Sequence, residues 1–196
     1  MRNWIGCALL LGSLWATASR AQSVPRPASA SPDSKGSLDV AIEYSAAHAN
    51  GSGKVPFWLQ GGSAQLEGRI WRGLGAVADI TGEHAANINS TGVNLDMVIA
   101  TFGPRYTWRH GRIAIFGQAL GGVANGFDGV FPSATGAQET ATSVAFKLGG
   151  GANYSLSHRF AVRLVEADWL RTQLPNENSS VQNDVYLGAG VVLRFK

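Results

Sequence analysis

The sequence predicts an all-β fold, an eight-stranded antiparallel up-and-down transmembrane β-barrel, and three observations carry that reading. Segments of about ten residues alternate polar and apolar side chains, the length and period of a strand with lipid outside and a polar interior within; Val185 to Phe195 shows this best. Very short connections between such segments alternate with longer polar ones. Only 15% of residues are charged, against roughly 25% in soluble domains, yet beyond the amino-terminal leader no apolar run reaches the ~20 residues of a spanning helix. A lone amphipathic strand would leave its backbone groups unpaired in lipid, so the strands must close on one another.

Met1 to Ala21 has a basic start at Arg2, an apolar run from Trp4 to Ala16, and small residues before the end. It reads as a secretory signal peptide, cut after Ala21 or after Ala18. Its removal takes Cys7, Arg2 and Arg20 and no acid, so the mature chain has no cysteine and the formal charge of +3 falls to +1. That balance offers nucleic acid nothing. Residues 22–37, rich in Ser, Pro and Ala, are expected to be a disordered periplasmic tether, and the barrel occupies 38–196.

Strand one, Asp39 to His48, sets Val40, Ile42, Tyr44 and Ala46 against Ala41, Glu43 and Ser45. Strand two, Phe57 to Ile70, sets Ala64, Leu66 and Ile70 against Ser63, Gln65, Glu67 and Arg69. The charged set faces inward, because charge in lipid is costly. After a tight turn at Trp71-Arg72-Gly73, strand three (Leu74 to His84) opposes Leu74, Ala76, Ala78 and Ile80 to Val77, Asp79, Thr81 and Glu83. Strand four, Leu95 to Trp108, puts Val98, Ala100, Phe102, Tyr106 and Trp108 outside and Thr101, Arg105 and Thr107 inside. A second turn at Arg109-His110-Gly111 leads to strand five, Arg112 to Phe127, with Gln118 inward. Strand six, Glu139 to Leu156, turns Lys147 and Asn153 in, and Ser157-His158 makes the third turn. Strand seven, Phe160 to Thr172, breaks the alternation: Arg163 faces in on one register, Glu166 and Asp168 on the other. A β-bulge at Leu164 or Val165 brings all three inside. Strand eight ends the chain, with Asp184, Tyr186 and Arg194 on the inner face.

Three short turns then alternate with four longer loops, 49–56, 85–94, 128–138 and 173–183, the asymmetry of outer-membrane barrels with periplasmic turns and external loops. Aromatics fall in two groups, Trp71, Trp108, Tyr154, Phe160 and Phe195 at the turn side and Trp58, Phe127 and Trp169 towards the loops, the pattern of two interfacial girdles.

Phe102-Gly103-Pro104-Arg105-Tyr106, the Gly-rich hairpins, Arg163 with Glu166-Ala167-Asp168, and the Leu187 to Phe195 ending together resemble the small outer-membrane barrel domain of the kind found in outer membrane protein A. The likeness covers about Leu38 to Lys196. It implies a Gram-negative outer-membrane, porin-like protein of the cell envelope. Two departures stand out: Lys196 follows Phe195 where family barrels end on an aromatic, and no counterpart of the peptidoglycan-binding domain follows the barrel, so wall anchoring is not carried over.

Inward positions collect acids (Glu43, Glu67, Asp79, Glu83, Glu166, Asp168) and bases (Arg69, Arg105, Lys147, Arg163, Arg194) in near balance. An eight-stranded barrel is only wide enough for its own side chains, so these charges are expected to pair as a polar plug. The function expected is structural or surface-interacting, with outer-membrane lipid around the wall and an extracellular ligand or protein at the four loops. A narrow ion path is the alternative use of the same residues. A lipid-modifying enzyme would draw on Ser45, His48, Glu83 and His84, but adjacent strand residues point to opposite faces, so Glu83 cannot orient His84. A soluble lipocalin-like carrier would need an apolar interior and a polar exterior. No catalytic or cofactor-binding residue is assigned, nor a metal ligand, since His-x-His, Cys pairs and calcium-loop spacing do not occur.

Overall fold

A computed structural model describes residues 36–50, 56–90, 92–133, 136–175 and 181–195. The signal peptide and most of the tether lie outside the described residues. Among the described residues ten strands follow in order: β1 Leu38–Asn50, β2 Pro56–Trp71, β3 Leu74–Ala85, β4 Leu95–His110, β5 Ile113–Phe127, β6 Phe131–Ser133, β7 Gly136–Gln138, β8 Ala141–Ser155, β9 Phe160–Thr172 and β10 Gln182–Phe195. Eight of them close into an antiparallel barrel in the order β1-β10-β9-β8-β5-β4-β3-β2, and β6 and β7 form a separate small hairpin. The first and last strands pair from Leu38↔Phe195 to His48↔Val185, which removes every edge from the wall.

The alternation of the sequence becomes inside and outside. Ile80 is 61% and Phe102 64% exposed, as are Ile42, Tyr44, Leu66, Val144, Phe146, Leu148 and Val185 to comparable degrees, while their chain neighbours are buried or half-buried. A surface this apolar around the whole circumference is a lipid-facing band. It is the inverse of what a soluble carrier requires. Trp71, Trp108, Phe160 and Phe195 are exposed near the short turns, Trp58, Phe127 and Trp169 near the loop ends.

The break in strand seven is a bulge in β9. Asn153 pairs with Arg163 and Ala152 with Val165, leaving Leu164 as the extra residue against β8. Leu164 and Val165 are both exposed, and Arg163 and Glu166 on either side are both buried.

Several sequence-based boundaries move. The second turn is Gly111–Arg112, because β4 runs on through Arg109 and His110, which pair with Ala114 and Ile113. Ser37 is buried, and its carbonyl accepts from the Arg69 amide at 3.1 Å, so ordered structure starts before strand one. The first loop shrinks to 51–55, since the β1–β2 ladder extends to Asn50↔Pro56. Loop 85–94 contains a 3-10 turn at Ile88–Ser90, and loop 128–138 contains the β6–β7 hairpin.

Gly149, Gly150 and Gly151 lie in the middle of β8, where strand packing leaves no room. A Cβ on Gly150 would land on the Phe116 carbonyl and lie 3.1 Å from the Gly117 Cα. Around Gly82, by contrast, nothing lies within 4 Å. Gly150→Ala is expected to destabilise the barrel by about 1–3 kcal/mol and Gly82→Ala to leave it unchanged. The temperature at which unboiled protein loses its compact gel mobility measures the difference.

Candidate functional site: the lumen and its two ends

The inward side chains form tiers along the barrel axis. At the turn end, Asp39 on β1 gathers three guanidiniums: Arg69 on β2 donates to its Oδ2, and Arg109 Nη2 on β4 and Arg194 Nε on β10 each lie 3.7 Å from that oxygen. Arg194 also donates to Ser155 Oγ at 2.9 Å.

The central tier is built on Arg105 and Arg163. Arg105 on β4 donates to Glu67 Oε2 (3.2 Å), to Gln65 Oε1 (2.6 Å) and through Nε to Gln118 Oε1 (3.0 Å). Arg163 on β9 donates to Glu43, to Gln65 Oε1 (2.6 Å), to Glu166 Oε2 (2.5 Å) and to Asn153 Oδ1 (3.0 Å). The two guanidiniums lie over the ring of Phe116, 4.1 and 4.6 Å from its centroid. Their like charges are held near one another because carboxylates and amides surround them. Gln65 and Gln118 complete the tier by donating to Glu166 Oε1 at 2.7 and 3.1 Å, and Gln118 also donates to Asp168 Oδ2 at 2.8 Å.

Above it, Lys147 on β8 donates to Asp79 Oδ2 (2.6 Å) and Thr81 Oγ1 (2.8 Å) and sits 4.2 Å from the Tyr186 ring. Glu83 is buried at this level but joins none of these hydrogen bonds. The loop end is then closed by an apolar cluster that includes Leu59, Met97, Ile99, Leu170, Phe131 and Leu174. Phe131 comes from the small hairpin and enters over two glycines: a Cβ on Gly126 would meet its ring at 2.5 Å, one on Gly129 at 2.9 Å. One of the four loops is thus tied down into the mouth of the barrel.

The structure places all eleven charged residues singled out in the sequence on the inner face and distributes them over these tiers. Asp39, Arg109, Phe116 and the apolar cap do not stand out in the sequence. Asp39 shares its parity with Glu43 and was open to the same argument. Arg109 was hidden by its assignment to a turn. The cap was illegible because Met97-Val98-Ile99-Ala100 is apolar on both faces, so alternation carries no signal there.

On the outer face, His84 Nδ1 lies 2.5 Å from Asp96 Oδ1, a cross-strand pair with both side chains exposed. Ser45 and Glu83 are buried inside the wall instead, and His48 packs edge-on against Trp58 at 4.9 Å. The two histidines on the outer face therefore do not meet Ser45 or Glu83.

No protein-family description matches the chain, and no curated protein matches it. Solved structures do. The barrel is similar to Neisserial surface protein A (TM-score 0.61, 15% identity, covering 82% of this chain and 99% of that one). It is also similar to Ail, the attachment invasion locus protein of Yersinia pestis (0.55, 13%, 83% and 100%), which has also been solved with the heparin analogue sucrose octasulfate. A third similar structure is OprG of Pseudomonas aeruginosa (0.52, 7%, 82% and 96%). At these identities the likeness is one of fold, and that fold, together with the lipid-facing band, is the one that resemblance to the membrane domain of outer membrane protein A implied. The chain has the fold of the small, eight-stranded outer-membrane β-barrels of Gram-negative bacteria.

Proposed function

We propose that this protein is a non-conducting, non-catalytic outer-membrane scaffold that presents its loops at the cell surface, exported there by cleavage of the 1–21 leader. One observation carries the reading: Arg105 and Arg163 are 1% exposed, and Lys147 and Glu166 0%. Side chains lining a water-filled path stay wet, and these leave no room for a water-sized sphere beside them. The charged tiers act as a plug, and the apolar cap seals the outer mouth. Surface interaction is assigned to the loops because recognition falls on connections held by a rigid frame. The sulfated ligand of Ail is not carried over, since the described loop-end residues include Asp96, Asp128 and Glu139 and, among cations, only Arg171.

Reconstituted into planar bilayers, the barrel is expected to show no unitary conductance. Regular single-channel steps that persist in an independently refolded preparation would refute the plug. Excision of 51–55, 89–94 and 176–180, one at a time and sparing Ile88 and Leu174 of the apolar cap, is expected to abolish surface binding in at least one variant while the compact gel form survives; unchanged binding across all three counts against a recognition role.

A further inference from the structure

We infer that the turn-side rim of the barrel binds the headgroups of anionic phospholipids in the periplasmic leaflet. The proposal rests on the membrane placement above and on a charge asymmetry between the two ends. Among the described residues, the turn end holds six arginines, Arg69, Arg72, Arg109, Arg112, Arg159 and Arg194, against two acids, Asp39 and Glu67. Even those two are oversubscribed. Asp39 faces three guanidiniums and Glu67 also serves Arg105 of the central tier. Both acids are thus engaged by inner arginines rather than by the exposed Arg72, Arg112 and Arg159.

Three of the six, Arg72, Arg112 and Arg159, are exposed, one in each short turn, so they are spread along the rim rather than clustered on one element. Each stands beside exposed aromatics. Arg72 lies 5.1 Å from the centroid of the Trp71 ring, Arg159 directly precedes Phe160, and Arg112 follows a strand end where Trp108 and His110 stack at 5.8 Å. Aromatics of this kind settle at the headgroup level, and a guanidinium one or two residues further out, at about 3.3 Å per residue, reaches the phosphates. Guanidinium is also the side chain whose fork matches a phosphate. A soluble anion would have no reason to require the aromatic collar, and a lipid headgroup does.

The test uses the barrel in nanodiscs of phosphatidylcholine containing either spin-labelled phosphatidylglycerol or spin-labelled phosphatidylcholine. An arginine near an anionic surface contributes roughly fivefold in association, so wild-type protein is expected to prefer the anionic label by at least that factor at low salt. The preference falls towards unity in the Arg72→Gln, Arg112→Gln, Arg159→Gln variant, is only partly retained with Lys, which keeps the charge but not the fork, and weakens in high salt. Compact gel mobility shows that the variants have folded. Equal association of the two labels with wild type overturns the proposal, as does a preference unchanged in the Gln variant. Excess glycerol phosphate at matched ionic strength separates the sources: if it abolishes the preference, the rim is a site for a free phosphate and the lipid assignment falls. If a soluble polyglutamate probe binds the rim more tightly than the lipid does, the partner is an acidic periplasmic protein and the proposal is likewise overturned.

Discussion

Replacing Arg163 with Met is expected to destabilise the barrel by about 3–5 kcal/mol, the cost of stranding buried charge. Arg163 is the donor shared by Glu43, Gln65, Glu166 and Asn153, and all of these acceptors are buried. Its loss leaves two carboxylates facing each other across a lumen too narrow to admit compensating water. Urea unfolding in detergent micelles, followed by tryptophan fluorescence, reads the change. Adding Glu43→Gln and Glu166→Gln to Arg163→Met is expected to recover a large part of it, since a neutral set of similar volume no longer contains an uncompensated ion. A loss below about 1 kcal/mol, within the range of ordinary surface changes, would mean that Arg105 alone holds the central tier.

A paired deletion in β9 tests the strand's phase with a comparable effect. Leu164 is the bulged residue, so removing it yields a regular strand in which Arg163, Glu166 and Asp168 all still point inward; that variant is expected to fold. Removing Ala167, three residues away, is expected to abolish the compact barrel. Glu166 and Asp168 would then be adjacent, and adjacent strand residues face opposite sides. One carboxylate would be forced into lipid, and Gln118, which donates to both acids, would lose a partner. Temperature-dependent gel mobility distinguishes the two outcomes. If both deletions fold equally well, the inward placement of these acids does not constrain the strand.

These experiments also mark where the sequence is a good guide to this fold and where it is not. Closure, strand number and the lipid face follow from residues such as Ile80 and Asp79, neighbours whose chemistry forces them to opposite sides. The break at Leu164 could be located because an arginine and two acids made the wrong phase prohibitively costly. Pairing within the lumen had no such signal: that Arg105 and Arg163 would share Gln65 and the Phe116 ring depends on strand stagger, which connects residues 40 to 98 positions apart. The small hairpin was equally opaque, since Phe131 reads as a loop residue until Gly126 and Gly129 are seen to make space for it.

The lumen contacts also join strands that are not neighbours in the wall. Gln65 on β2 reaches Glu166 on β9, and Arg163 on β9 reaches Glu43 on β1 across the width of β10. A tube braced by internal spokes keeps its cross-section whatever is attached to its rim. Changes of length or composition beyond Ile88 and Leu174, which pack on the apolar cap, leave this internal frame in place. The outer surface of this protein is free to diversify loop by loop, while the interior holds the frame constant.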